Sequence, residues 1–144
     1  MTVSRMTKDD INSVCLIEKE CFSAPWTEEN LLSELDNPTA LFYVAKNDGR
    51  VIGYVGANNI LGEVFMTNIA VTKISRGKGV ASALLDELIS SCKKLDCVYL
   101  TLEVRESNIS AIKLYEKFGF RCVGTRKNFY SSPTENALLY TLDF

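Results

Sequence analysis

The chain has 144 residues, 47% of them hydrophobic and 24% charged, with 16 Lys and Arg against 18 Asp and Glu, five cysteines and no histidine. This length and apolar content are typical of one folded domain over residues 1–144, and the net charge of −2 argues against a nonspecific nucleic-acid-binding protein. The lack of histidine excludes Ser-His-Asp and Cys-His catalysis, and leaves carboxylates, tyrosine, cysteine and lysine for proton transfer.

The cysteines contain no Cys-x-x-Cys pair, and without histidine to complete a mixed site they predict no metal centre. Three of them, Cys15, Cys92 and Cys97, are expected to be buried as small hydrophobic side chains. No stretch approaches the roughly 18 apolar residues of a membrane span, and residues 1–14 lack the apolar core of a signal peptide. We therefore expect a cytoplasmic protein with free thiols that binds neither membrane nor nucleic acid directly.

The first half of the chain predicts a short strand, two helices and an antiparallel meander. After a strand at 2–6, Thr7 can cap a helix that runs to about Cys21, and Thr27 can cap a second helix that stops before Pro38. Asp48-Gly49 is typical of a tight hairpin turn because it tolerates positive φ. The turn joins the first two of three strands, predicted at 41–46, 51–59 and 63–71.

The second half predicts a helix through Lys94, a strand at 97–104, a short helix from Asn108 to Phe118, and two last strands around 120–125 and 137–143. The element order is β-α-α-β-β-β-α-β-α-β-β. Because it combines a meander with one strand–helix–strand crossover, we predict an α/β fold with a mixed, mostly antiparallel sheet flanked by helices.

The segment 76–81, Arg-Gly-Lys-Gly-Val-Ala, lies between a predicted strand and a predicted helix. Glycines let backbone N–H groups approach a ligand, a helix N-terminus carries partial positive charge, and Arg76 and Lys78 add full charges. The combination suits a diphosphate, and the alternative is a tight turn with solvated basic side chains.

Two common nucleotide-binding patterns do not match this segment. A P-loop requires Ser or Thr after its Gly-Lys pair, where this chain has Gly79, and a Rossmann fingerprint requires a third glycine, where it has Ser82. A third pattern, Gln/Arg-x-x-Gly-x-Gly/Ala, is matched by Arg76, Gly79 and Ala81. It resembles the pyrophosphate loop of the GNAT N-acetyltransferase superfamily, which holds acetyl-coenzyme A.

The resemblance extends over nearly the whole chain and is closest to the RimI-type ribosomal-protein alanine N-acetyltransferases. Four segments carry it: Pro25–Glu28, Asn68–Val71, Leu102–Phe120 and Arg126–Tyr130. Departures are small, with Arg76 where relatives often have Gln, Ala81 where many have Gly, and Phe129 where Tyr is frequent.

The resemblance implies a GNAT fold and acetyl transfer from acetyl-CoA to the N-terminal alanine amine of a ribosomal protein. It implies Glu103 as general base and Tyr115 as general acid, and an acceptor site formed by Trp26, Phe129 and Tyr130. It also implies a cofactor site formed by Ile69, Ala70, Val71, Arg76, Gly77, Lys78, Gly79, Val80, Ala81, Ser82 and Asn108. The backbone N–H of Val71 would stabilise the thioester oxygen.

The residues themselves are compatible with these roles. Glu103 ends an apolar strand, where burial would raise the pKa of a carboxyl group and suit it to accept a proton, although exposure or pairing with Arg105 is equally open. A phenol such as Tyr115 stays protonated at neutral pH and can donate to a thiolate, although core packing is the usual role of a tyrosine. Trp26 and Phe129 are also residue types common in cores.

The acceptor class remains open at this point. An α-amine has a reference pKa of about 7.7–8.0, so its deprotonation is easier than that of a lysine amine, near 10.4, by roughly 3.5 kcal/mol. Lysine or a small amine is nevertheless an alternative acceptor, and a non-catalytic acyl-CoA-binding module is the alternative outside enzymes.

Overall fold

The strands form one seven-stranded sheet in the computed structural model, which describes residues 1–144. They are β1 Thr2–Arg5, β2 Ala40–Asn47, β3 Arg50–Ile60, β4 Glu63–Val71, β5 Tyr99–Arg105, β6 Arg121–Tyr130 and β7 Glu135–Asp143. Their order in the sheet is β1-β2-β3-β4-β5-β7-β6, and every neighbouring pair is antiparallel except β4 and β5. The predicted α/β fold with a mixed, mostly antiparallel sheet is confirmed.

Four α-helices flank the sheet: α1 Ile11–Cys21, α2 Glu28–Asp36, α3 Val80–Lys94 and α4 Ile109–Lys117. Thr27 caps α2 as predicted, since its side-chain oxygen accepts a hydrogen bond from the N–H of Asn30 at 3.1 Å. Asp48 and Gly49 both have positive φ, as the predicted hairpin turn requires. None of the helices combines the length and apolarity that crossing a membrane would require.

The helices divide between the two faces of the sheet, and each face has its own hydrophobic cluster. Leu84, Leu85 and Leu88 of α3 belong to a buried cluster of 21 residues on the α3/α4 face. A cluster of 10 buried residues on the α1/α2 face includes Val14 of α1 and Leu31 of α2. Because strand side chains alternate between faces, a residue's cluster shows which face its side chain occupies.

The parallel pair β4 and β5 separates partway along its length. Their pairing covers only Glu63 to Phe65 opposite Tyr99 to Thr101, so residues 66–71 and 102–105 are not bonded to each other. We call this opening the β4–β5 split. A β-bulge in β4 lies beside it, and Thr67 Oγ1 there donates to the carbonyl of Gly56 at 3.0 Å. The bulge changes which side chains face α3: Val64 and Met66 precede it, and Ile69 and Val71 follow it.

Candidate active site

The C-terminal end of β4 presents a free backbone donor to the split. Thr72 N donates to the carbonyl of Ile52 on β3 at 2.9 Å, and antiparallel ladder bonds alternate in direction, so the N–H of Val71 faces away from β3. The side chain of Ala70 packs on the α1/α2 face, and those of Ile69 and Val71 pack on the α3/α4 face. The end of β4 therefore borders both sides of the sheet.

The loop between β4 and α3 has the geometry of an anion site. Gly77 and Gly79 have φ of 75° and 80°, and no atom lies within 4 Å of the position that a Cβ would take at either glycine. The first intrahelical bond runs from Ala83 N to the carbonyl of Gly79, which leaves the N–H groups of Val80, Ala81 and Ser82 free. Lys78 is exposed and has no ion-pair partner. These features fit a diphosphate, because open space, free donors and a cation coincide.

Arg76 lies differently from what the loop pattern suggested. Its Nε donates to the carbonyl of Val71 at 3.2 Å, and its Nη2 lies 3.3 Å from Cys21 Sγ, so the guanidinium folds back against the end of β4. The reason is that β4 has already separated from β5, so the Val71 carbonyl lacks a strand partner on that side. In this arrangement Arg76 holds the carbonyl of Val71 while the N–H of Val71 stays free.

Glu103 extends from β5 on the α1/α2 face, because its neighbours Leu102 and Val104 belong to the cluster on the opposite face. Its side chain is 27% exposed, so it is half-buried and not enclosed as the apolar strand suggested. The alternative of a pair with Arg105 is wrong. Glu103 Oε1 instead lies 3.3 Å from Nε of Arg126 on β6.

Arg105 holds the turn between β6 and β7. Its guanidinium donates to the carbonyls of Ser131 and Pro133 at 3.0 and 2.9 Å, and forms an ion pair with Glu135 at 3.1 Å. The same Glu135 accepts a hydrogen bond from Ser107 N at 2.7 Å, and these bonds lower the pKa of its carboxyl. The turn is thereby fixed to the end of β5.

Tyr115 lies on the opposite face of the sheet from Glu103. It is 3% exposed and belongs to the α3/α4 cluster, where its ring packs on Phe120 with centroids 5.7 Å apart. Its hydroxyl makes no hydrogen bond to the protein, yet the only enclosed side-chain polar atom without a partner is Thr72 Oγ1. The Tyr115 oxygen therefore keeps an open side. Burial, with a smaller effect of Tyr130, raises the pKa of Tyr115, so the phenol stays protonated.

The three aromatic residues predicted for the acceptor site differ in burial. Trp26 is half-buried, with its ring 6.5 Å from that of Phe42, so it packs partly on the α1/α2 core. Phe129 is 50% exposed and meets Tyr130 edge to face at 5.1 Å. The guanidinium of Arg105 lies 4.5 Å from the Tyr130 ring centroid. Phe129 and Tyr130 lie in β6, which extends past the predicted end near residue 125.

The other predicted residues have structural contacts. Asn108 caps α4, because its Oδ1 accepts a hydrogen bond from Ala111 N at 3.3 Å. Cys15, Cys92 and Cys97 are buried free thiols, as expected, and burial raises the pKa of Cys92 to about 12. The structure contains no cluster of three or more residues that could hold a metal ion.

No role was assigned from the sequence to two charged residues near these positions. Arg126, the partner of Glu103, lies 23 positions later, and only strand pairing brings the two together. Glu18 is a buried carboxylate in α1, and it falls seven residues after Ile11 and four after Val14, on the buried stripe of that helix. Its position among apolar residues was a signal that the helical period could have revealed.

Comparison with known proteins gives consistent matches. The model of the Acetyltransferase (GNAT) family matches residues 11–120. The chain is 38% identical over 138 residues to a Bacillus subtilis protein whose assignment as a ribosomal protein bS18-alanine N-acetyltransferase is provisional, covering 95% of this chain and 91% of that protein. It is 32% identical over 143 residues to the Escherichia coli K12 ribosomal protein bS18-alanine N-acetyltransferase, covering 98% and 96%.

A solved structure agrees with these sequence matches. The crystal structure of the ribosomal-protein-S18-alanine N-acetyltransferase from Escherichia coli superposes with a TM-score of 0.92 at 30% identity, covering 99% of this chain and 92% of that chain. The match therefore includes the sheet and all four helices.

Proposed function

The chain belongs to the GNAT acetyltransferase family and is an acetyl-CoA-dependent N-acetyltransferase, and on that premise we propose that it acetylates the N-terminal alanine of a ribosomal protein. The acceptor is inferred from relatives that are named for this reaction and match almost from end to end.

One observation carries the proposed mechanism: Glu103 borders the β4–β5 split on the α1/α2 face of the sheet, and Tyr115 belongs to the cluster on the opposite face. Acetyl transfer needs a proton acceptor where the amine attacks and a proton donor where the thiolate leaves. Two faces separated by an opening satisfy both needs, with the amine on the α1/α2 face and the sulfur on the α3/α4 face.

Glu103 is the proposed general base. Its half-buried carboxylate takes one proton as the amine nitrogen bonds to the thioester carbon, and no histidine is required. The Arg126 guanidinium orients the carboxylate, which stays partly exposed so that an incoming ammonium group can approach it. Near pH 7 a substantial fraction of the acceptor α-amine is already neutral, so the base has to remove only the one proton that the nitrogen loses as it attacks.

Tyr115 is the proposed general acid. When the carbon–sulfur bond breaks, its phenol gives a proton to the leaving thiolate, and its raised pKa keeps that proton available over the neutral range. The free N–H of Val71 is proposed to donate to the oxygen that becomes negative during attack, because such a donor is most effective when it is already in place.

The cofactor diphosphate is proposed to bind the loop of Gly77, Lys78 and Gly79 and the first N–H groups of α3. Ile69 and Ala70 would flank the pantetheine arm along β4, and Asn108 would contact the cofactor from the start of α4. Trp26, Phe129 and Tyr130 are proposed to line the acceptor groove, in which two of them present half-buried aromatic faces.

The test uses purified protein, acetyl-CoA and two peptides, with free CoA measured over time. One peptide begins with alanine and contains no lysine. The other has a blocked N-terminus and one internal lysine. We expect turnover of the first peptide only, and a loss of about 10²-fold or more in kcat for Glu103→Gln.

Glu106→Gln is the matched control, because Glu106 is an exposed carboxylate three residues further along the chain. It should retain wild-type kcat. Preferential turnover of the lysine peptide would contradict the proposed acceptor, and an unchanged kcat in Glu103→Gln would contradict the proposed base.

A further inference from the structure

Glu18 in α1 is a buried carboxylate without a cation. It is 1% exposed, and no lysine or arginine forms an ion pair with it. The other buried carboxylate of the same region, Asp10, has Lys46 at 3.0 Å. Burying a charge is costly unless hydrogen bonds compensate, so the hydrogen-bond donors around Glu18 indicate its structural role.

Three donors from three different parts of the fold meet at Glu18. Trp26 N donates to Oε1 at 2.9 Å, and the Tyr54 hydroxyl and Asn68 Nδ2 donate to Oε2 at 2.5 and 3.3 Å. Asn68 Nδ2 also lies 3.1 Å from the Tyr54 oxygen. Burial and then the adjacent Glu18 raise the pKa of Tyr54, which keeps that hydroxyl a donor.

The hydrogen bond from Trp26 N differs from the other contacts of Glu18. In the segment from residue 23 to residue 26, between α1 and α2, Trp26 N is the one group that hydrogen-bonds to the rest of the protein. Asn68, on the other side of Glu18, belongs to β4 and lies three residues before Val71. One carboxylate thus connects the Trp26 segment to the strand that borders the split.

We propose that Glu18 is a positioning residue that sets the place of Trp26 relative to the end of β4, and so controls acceptor binding. The inference rests on the proposed function, in which Trp26 lines the acceptor groove. Glu18 has no hydrogen bond to the loop at residues 76–82, and it acts through the backbone of Trp26 and the side chains of Tyr54 and Asn68.

Glu18→Gln is the informative substitution because it preserves shape and changes only the donor and acceptor pattern. A glutamine offers one acceptor oxygen and one donor NH₂ group, whereas three donors surround the site. With its oxygen at the position that serves both Tyr54 and Asn68, its NH₂ group faces the N–H of Trp26, which then loses its acceptor. We expect the acceptor KM to rise about tenfold, which corresponds to about 1.4 kcal/mol, with kcat and the acetyl-CoA KM within twofold of wild type.

The protein's single tryptophan gives a second readout. Trp26 emission should shift to longer wavelength and become more accessible to acrylamide in Glu18→Gln, because the segment loses its one hydrogen bond to the body. Asp10→Asn is the control: it removes a buried ion pair at the other end of α1, and should lower stability while leaving the acceptor KM and Trp26 emission unchanged.

An acceptor KM within twofold of wild type for Glu18→Gln overturns the inference, as does an equal change in Asp10→Asn. If Glu18→Gln fails to fold, Tyr54→Phe removes one donor and should raise the acceptor KM about threefold with a smaller emission shift, and no change in either would overturn the inference. If wild-type protein acetylates no alanine peptide, the proposed function fails, and the emission and quenching comparison alone decides the role of Glu18.

Discussion

Replacing Tyr115 with phenylalanine should separate catalysis from stability. The ring packs on Phe120 within the larger cluster, and phenylalanine preserves that packing. The hydroxyl that is lost makes no hydrogen bond to the protein, so we expect the free energy of unfolding to change by no more than about 0.5 kcal/mol. If the phenol protonates the leaving thiolate, kcat should nevertheless fall by about 10²-fold or more, which is about 2.7 kcal/mol in the barrier.

Tyr43→Phe is the matched control for this prediction. Tyr43 belongs to the same cluster and is equally buried, but its hydroxyl lies 2.6 Å from Ser91 Oγ and accepts a hydrogen bond from Arg5 at 3.3 Å. It lies on β2, away from the split. Loss of the Tyr43 hydroxyl should reduce the free energy of unfolding by about 1–1.5 kcal/mol and leave kcat unchanged, the opposite of the result expected for Tyr115→Phe.

The assay is urea unfolding combined with single-turnover acetylation of a peptide that begins with alanine. Single-turnover rates isolate the chemical step from release of CoA. A Tyr115→Phe rate within threefold of wild type would refute the reasoning, because the hydroxyl would then have no part in the reaction. A large loss of stability in that variant would show instead that the hydroxyl has a structural partner.

Three further predictions concern the loop, the phenols and the thiols. Lys78→Ala should raise the acetyl-CoA KM about fivefold at low salt and less at high salt, since an exposed cation is screened; no salt dependence would contradict this. Burial raises the pKa of Tyr54 and Tyr115, so the fold favours their neutral forms. Their stabilisation is complete below about pH 10 and is lost as pH rises above it, so urea midpoints should fall between pH 8 and pH 10.5, and equal midpoints would contradict it. In native protein a thiol reagent should label exposed Cys122 quickly and buried Cys92 only after unfolding, and rapid labelling of Cys92 would contradict its burial.

Local patterns were sufficient to predict most of the fold. Thr27 caps its helix and Asp48-Gly49 turns its hairpin because both depend on a few neighbouring backbone groups. The order of the strands in the sheet could not be predicted from local patterns. β7 lies between β5 and β6, and the sequence order of the last two strands does not contain that information. The parallel pairing that stops at Phe65 is likewise a property of the assembled sheet.

In the candidate site, too, local features could be predicted and long-range contacts could not. The glycines of the loop were predictable because positive φ is a local demand. The partner of Glu103 was not, because Arg105 is two residues away but is held by the β6–β7 turn, and the distant Arg126 takes its place. Arg76 was expected to point toward a diphosphate, yet the unpaired carbonyl of Val71 offers it a nearer acceptor. Each difference arises where long-range strand geometry decides which polar group lacks a partner.

The most direct test of the central claim is mass spectrometry of protein N-termini from cells with and without this protein. The proposed function predicts that the N-terminal alanine of one ribosomal protein loses its acetyl group when the protein is absent, and regains it with wild-type chain but not with Glu103→Gln. Unchanged N-terminal acetylation of every ribosomal protein, together with a loss of lysine acetylation elsewhere, would contradict it.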